Sequence, residues 1–253
     1  TRNRPRLMPV LAARSCPFKC TFCYVTGGKT YRIRSVPSLM QEIQYFHDRY
    51  RFNILKLYDD LFSVNKPRVR EFCQELRKLN LDIHWSCTIR VADVDLDLLR
   101  DMKEAGCIHI QYGFESAHQD VLESMVKKTT VEQIRKAIEW SEEVGIGVQG
   151  NFIFGDPAET PESIEQTRDF FEKYCKDHII HCDYITPYPG SPLFLQHCQK
   201  HGLIPDKKKY YENLHLRPRF NMTPMSYKEF RDRVEPIVRN KWIGYQPASE
   251  VSF

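Results

Sequence analysis

Apolar residues in this chain follow two periods in turn. Short runs that alternate or stay apolar throughout give way to longer stretches in which apolar residues recur every three or four positions. Leu7–Ala13 reads as a strand, and Val36–Tyr50 as a helix with Leu39, Ile43 and Phe46 on one face. Asn53–Tyr58 is a strand ending at Asp59-Asp60. A helix over Lys66–Leu79 follows, with Val69, Phe72, Cys73, Leu76 and Leu79 in register. Asp82–Thr88 is a strand and Leu96–Ala105 a helix stopped by Gly106. Cys107–Tyr112 is a strand, and Thr130–Val144 a helix capped by Thr129 or Thr130 and closed by Gly145. Ile146–Phe154 is a strand, followed by a helix over Pro161–Lys176 with its proline in the first turn. His178–Thr186 is the last strand, and Pro192–Lys200 a helix closed by Gly202.

Six strand–helix units imply parallel pairing through right-handed crossovers. The expected fold is α/β, a partial (β/α)6 TIM-like barrel over residues 1–202 with a C-terminal extension over 203–253. Six units fall short of the eight that close a barrel, so the sheet should be curved and partly open. The polar clusters fall at strand C-termini, where such folds place their chemistry. They are Cys16–Cys23, Asp59-Asp60, Arg90, Glu115-Ser116, Asp156–Thr160 and Tyr188–Ser191. After Leu203 the pattern breaks down around Pro205, Pro218, Pro224, Pro236 and Pro247, and only Ser226–Val238 reads as a helix.

Composition changes this picture little. The 253 residues are 42% hydrophobic and 28% charged with net charge +4, ordinary for a soluble globular chain. Neither nucleic acid nor membrane is called for. The run Lys207-Lys208-Lys209 before Tyr210-Tyr211 reads as a solvated charged face. No apolar stretch is long enough to cross a bilayer. The chain opens at Thr1 without an initiator methionine, which suggests a fragment of a longer protein. Nine cysteines are an odd number, and Cys73, Cys87, Cys107, Cys175, Cys182 and Cys198 show no disulfide rhythm. Buried free thiols in a reducing cytoplasm are expected.

The other three cysteines form Cys16-Pro-Phe-Lys-Cys20-Thr-Phe-Cys23. At this cysteine content such spacing arises by chance about 0.01 times per chain. Three thiolates on one loop, with no fourth nearby, would leave one iron of a cluster open to an exchangeable ligand. A zinc site would have to recruit a distant Cys73, Cys87 or His47 to close its tetrahedron. Cys175, Cys182 and Cys198 match no compact auxiliary-cluster motif. Gly27-Gly28-Lys29-Thr30 imitates the end of a phosphate loop, but the required first glycine falls at Cys23.

The motif, the partial barrel and the polar strand ends together resemble the radical S-adenosylmethionine superfamily, closest to the subgroup that carries a cobalamin-binding domain. The match runs from about Leu7 to Leu195. It includes Trp85-Ser86-Cys87 with Arg90, Gly113–Ser116, Gly155–Thr160 and Thr186–Ser191. The resemblance implies that Cys16, Cys20 and Cys23 hold a [4Fe–4S] cluster whose open iron is chelated by S-adenosylmethionine. It implies that Phe22 and Tyr24 lie against cluster and adenine. Tyr58, Asp59 and Asp60 would meet the methionine ammonium, Arg90 its carboxylate, and Glu115 and Ser116 the ribose or the methionine carboxylate region. Asn151, Ile153 and Gly155 would flank the adenine. Asn151 stands where the family often has glycine, and Tyr-Asp-Asp replaces the Gly-Gly-Glu of other subgroups. No Asp-x-His-x-x-Gly cobalamin signature occurs in the chain.

The implied activity is reductive cleavage of S-adenosylmethionine to a 5′-deoxyadenosyl radical that abstracts hydrogen from a small molecule, with cobalamin-dependent methyl transfer as one outcome. The implied partner is a one-electron reductant such as flavodoxin or ferredoxin. Substrate-facing residues by strand alternation are Gln111, Gln149, Asn151, Tyr184 and Tyr188. Two bland readings stand beside this: an iron–sulfur electron-transfer or structural module, and a zinc-stabilised binding protein. Equally, Tyr58 and Trp85 could be core aromatics, and Asp59 or Asp60 a helix cap.

Overall fold

The computed structural model describes residues 4–24, 27–28, 30–204, 206–212 and 221–239. Of the positions named above, Thr1, Lys29, Pro205, Pro218 and Pro247 lie outside them, as do the side chains of Lys207 and Lys209. Six strands form one parallel sheet in sequential order. They are β1 (Leu7–Val10), β4 (Ile54–Leu57), β5 (His84–Ile89), β6 (Cys107–Glu115), β7 (Gly147–Phe154) and β8 (Ile179–Tyr184). The intervening helices are α1 (Val36–Tyr50), α2 (Lys66–Lys78), α3 (Leu96–Glu104), α5 (Val131–Glu143) and α6 (Pro161–Tyr174). The fold is thus the expected open α/β half-barrel, with β1 and β8 at its edges.

The helix boundaries follow local chemistry. The side chains of Ser35, Asn65, Asp95, Thr130 and Thr160 each accept a backbone N–H in the first turn of α1, α2, α3, α5 and α6. Asn65 is therefore the cap of α2, not Asp59 or Asp60. Other expectations needed correction. A two-residue antiparallel ladder, β2 (Ala13–Arg14) with β3 (Arg32–Ile33), brackets the cysteine loop. The short helices α4 (Gln119–Ser124) and α7 (Lys207–Glu212) were not foreseen either. The expected helix after Pro192 is present and winds as a π-helix over Phe194–Gln199. All these elements are too short for a periodic signal.

The two faces of the sheet differ. On the outer face, Leu55, Leu57, Cys87, Ile110, Val148, Phe152 and Ile180 are fully buried beneath the helices. Trp85 joins them and donates from Nε1 to Ala105 O at 2.9 Å. The alternate residues form half-buried rows on the concave face. The register aligns Lys56, Ser86, His109 and Gly147, then Thr88, Gln111, Gln149 and Ile179, then Gly113, Asn151 and His181. Tyr184 is a correction: it pairs with Phe154 on the outer face, its ring 6.0 Å from Phe230.

Phe230 belongs to α8 (Tyr227–Arg239), whose Val234, Ile237 and Val238 enter the same hydrophobic core as the sheet. The helix covers β8 and leans on α6, where Arg233 pairs with Glu165 at 2.9 Å. No helix among the described residues is long and apolar enough to cross a membrane.

Because α8 is part of the core, Phe230→Ala should lower the unfolding free energy of the whole chain by about 3–5 kcal/mol. Chemical denaturation should show the loss in one cooperative transition. Loss of α8 alone, with the rest unchanged, would show that the helix docks independently.

Candidate functional site

The cysteine loop has almost no secondary structure of its own, so other elements must hold it. Asp59, at the end of β4, accepts the amides of Ala12 and Ala13 on one oxygen at 2.7 and 2.9 Å. Arg68 of α2 donates to the carbonyls of Ala12 and Arg34, closing the same junction. Farther along, Thr21 N donates to Met125 O at 3.0 Å, and Thr21 O accepts from Leu193 N at 2.8 Å. The residue after Cys20 is thus stitched to the segments that follow α4 and β8. Ser15, at φ 72°, bonds the carbonyl of Gly28 from its hydroxyl at 2.6 Å.

Cys20 is buried, Cys16 partly so, and Cys23 reaches the surface. Burial raises all three thiols, Cys23 to about 12, with neighbouring thiols adding to the effect at Cys20 and Cys23 and the charge of Asp60 at Cys16. Lys127 opposes it at each of them. Lys127 is itself buried and bonds Oε1 of Glu115 at 2.6 Å. Burial would lower its pKa, but Glu115 and then Cys20 and Cys23 outweigh that and raise it. The pair is tightly enclosed: a Cβ at Gly113 would strike Glu115 Oε1 and lie 2.8 Å from Lys127 Nζ. Glu115, Val126 and Lys128 all take positive φ, at 65°, 51° and 53°. Such backbone is costly for a β-branched valine and concentrates at functional sites.

Arg90 braces this corner. Its Nη2 donates to the carbonyls of Lys127 and Lys128 at 2.9 Å each, and its guanidinium sits 3.6 Å over the ring of Phe18. The phenyl ring thereby fixes the loop between Cys16 and Cys20 to the end of β5.

Most expected residues converge. Phe22 and Ile153 pack together with Val121, Met125, Ile185 and Leu193 in a small apolar cluster beside the thiols. Tyr24 lies 5.6 Å from Tyr188, on the rim. Asn151 is half-buried on the concave face and accepts from Gln149 Nε2 at 3.0 Å. The two aspartates divide. Asp59 is a buried clamp, whereas Asp60 is exposed and close enough for its charge to raise the Cys16 thiol. Tyr58 is 64% exposed, which removes the core reading for it. Ser116 faces away: its hydroxyl meets Thr167 Oγ1 of α6 at 3.2 Å. Gly155, at φ 117°, turns the chain where a Cβ would lie 2.9 Å from Ile185. Its amide donates to Glu159, a carboxylate that burial raises to about 7.

Lys127 was missed from sequence. Its available signal was a basic pair, Lys127-Lys128, just ahead of the Thr130 cap. The remaining thiols are plain core residues. Burial raises Cys175, Cys182 and Cys198 to about 12, and among the described residues they join no ligand group.

The comparisons fit this architecture. The model of the Radical SAM superfamily matches residues 10–171. An uncharacterized methyltransferase of Pyrococcus horikoshii is 34% identical over 187 residues, covering 73% of this chain and 40% of the relative. An anaerobic magnesium-protoporphyrin IX monomethyl ester cyclase of Rubrivivax gelatinosus is 35% identical over 185 residues, covering 72% of this chain and 33% of the relative. Among solved structures, the radical S-adenosylmethionine methyltransferase TsrM from Kitasatospora setae, with cobalamin and a [4Fe–4S] cluster bound, superposes with a TM-score of 0.71 at 18% identity. That overlap covers 77% of this chain and 37% of the other. The chain therefore belongs to the radical SAM superfamily. It spans less than half the length of these relatives.

The donor types fit an iron–sulfur cluster, three thiols on one anchored loop with a buried ammonium at hand to offset their charge once ionised; among the described residues no three ligating side chains, these included, are already gathered around one metal position.

Two outcomes follow for the metal-free chain. Lys127→Met leaves Glu115 as an isolated buried carboxylate and should cost about 3–5 kcal/mol, and the double variant with Glu115→Gln should recover most of it. A double variant no better than the single would show that the pair is not coupled. Asp59, raised from 3.8 to about 6 mainly by burial, ionises less readily folded than unfolded. Its contribution to stability must therefore fall as pH rises from about 4 to about 6 and then level off. Asp59→Asn keeps the acceptor oxygen but not the titration, so its stability relative to the parent should climb through that window in urea denaturation. A flat difference would contradict the shift.

Proposed function

We propose that this chain is the catalytic barrel of a radical S-adenosylmethionine methyltransferase. Cys16, Cys20 and Cys23 hold a [4Fe–4S] cluster, and S-adenosylmethionine approaches it from the C-terminal mouth of the sheet. When bound, the cluster supplies the electron that cleaves S-adenosylmethionine to methionine and a 5′-deoxyadenosyl radical, which takes hydrogen from the substrate. The observation that carries this reading is the three-thiol loop, stitched at Thr21 and set beside the buried Lys127–Glu115 pair.

The chain's own residues bind and orient. The exposed carboxylate of Asp60 takes the methionine ammonium, as a charge-assisted hydrogen bond. Lys127 has three N–H donors and uses one on Glu115, which leaves it able to meet the methionine carboxylate. Arg90, expected in that role, instead positions Lys127 through its backbone. Glu115 accepts from the ribose hydroxyls. Phe22 and Ile153 give the adenine an apolar wall that excludes water, and Tyr24 with Tyr188 forms its outer rim.

Methyl transfer is supported by the methyltransferase relative and by the fold shared with TsrM. In this reading cobalamin is the methyl carrier. The electron comes from a one-electron reductant such as flavodoxin or ferredoxin. Nine free thiols suit a reducing cytoplasm.

The test is anaerobic. Reconstituted chain should contain iron and sulfide, and with dithionite and S-adenosylmethionine it should release 5′-deoxyadenosine. Cys20→Ala should lose both the cluster and the product. Zinc in place of iron, or a fully loaded cluster without cleavage, would overturn the reading.

A further inference from the structure

Below the mouth, the concave face carries an arrangement that cofactor binding does not use. The lowest complete row runs Lys56, Ser86, His109 and Gly147 across four strands. Lys56 is half-buried and has no acidic partner among the described residues. Nε2 of His109 is buried and has no hydrogen-bond partner. Burial, then the nearby Lys56, lowers His109 to about 4, so its imidazole is neutral at pH 7 and offers one N–H donor. The Ser86 hydroxyl lies between them in the register. Gly147 adds no side chain: a Cβ there would stand 3.5 Å from His109 Cδ2, so the glycine leaves space beside the imidazole. Of the carboxylates on this face, Asp183 lies four strands away and three rows higher, and Glu115, at the upper end of β6, is paired with Lys127.

We propose that Lys56, Ser86 and His109 form a subsite for an anionic group, carboxylate or phosphate, at one end of the substrate. A half-buried ammonium without a counter-ion is costly, and a buried imidazole nitrogen without a partner adds to that cost. An anion between them satisfies both, and the serine hydroxyl supplies a third donor. Rows on one face of a strand are about 6.7 Å apart. The subsite therefore lies two rows, roughly 13 Å, below the row of Gly113 and Asn151. The substrate is accordingly elongated, with its anionic end on the floor and its reacting carbon at the mouth. That orientation rests on the radical reading above; the anion subsite itself does not.

The test is binding to the intact chain, measured by isothermal titration at constant ionic strength. The probes are succinate, its neutral diamide succinamide, and inorganic phosphate. Both anions should saturate one site and succinamide should not. Lys56→Met should weaken the anions about tenfold or more, Lys56→Arg should retain them, and His109→Gln should weaken them while keeping the parent's circular dichroism. Tighter phosphate than succinate would mark a phosphorylated substrate, and the reverse a carboxylate. The inference fails if neither anion saturates, if succinamide binds as well, or if Lys56→Met and His109→Gln, both folded, bind like the parent. A chain that cleaves S-adenosylmethionine yet binds no anion would overturn this inference alone. One that binds anions through Lys56 but never cleaves would overturn only the radical reading.

Discussion

The chemistry of this molecule depends on two hydrogen bonds at Thr21. The loop between β2 and β3 carries the three thiols and has no ladder or helix among its described residues. Thr21 N reaches Met125 O and Thr21 O receives Leu193 N, so the loop is gripped from segments that follow two different strands. Asp59 grips its start in the same way through Ala12 and Ala13. The loop's shape is thus set by long-range contacts that exist only when the sheet is complete. The fold comes first and the site follows.

Electrostatics are arranged to the same end. Three thiols in a partly buried loop stay protonated, because burial and mutual repulsion penalise the thiolates. Ligation requires the thiolates, and a nearby positive charge favours them. Lys127 supplies it, and Glu115 keeps that lysine charged despite its burial. Arg90 fixes the backbone on which Lys127 stands, and Phe18 returns the constraint to the cysteine loop. The positive φ angles at Glu115, Val126 and Lys128 show what this enclosure demands of the chain. The three segments of the mouth are consequently not independent, and a change at one is felt by the thiols.

Much of this was legible in the sequence, for a physical reason. The six strands and the helices between them are long enough for a period to register, and the helix α1 matches its expected limits residue for residue. The cysteine spacing and the polar strand ends were equally plain. What escaped was short or three-dimensional. The β2–β3 ladder has two residues per strand, and α4 has six residues. Asp59 and Asp60 are identical letters in sequence, and only the fold buries one and exposes the other. Lys127 has no motif of its own; its role comes from Glu115, twelve residues earlier, being turned toward it. Tyr184 was assigned to the wrong face because its strand, β8, is covered by α8, and sequence alternation alone does not say which side a covering helix takes.

The alternation itself carries a further argument. Parallel sheets sandwiched on both faces read as continuous apolar runs. Here the strands alternate instead: Leu55-Lys56-Leu57, His109-Ile110-Gln111, Val148-Gln149-Gly150-Asn151. The apolar members pack against helices, and the polar members form half-buried rows on the concave side. Polar groups there gain nothing from packing and cost stability wherever they lack partners. A chain selected for stability alone would have filled the face with valine and leucine, as a closed barrel interior is filled. The polar rows below the thiols are the part of the fold that packing alone does not account for, which is why the proposed anion subsite is placed there.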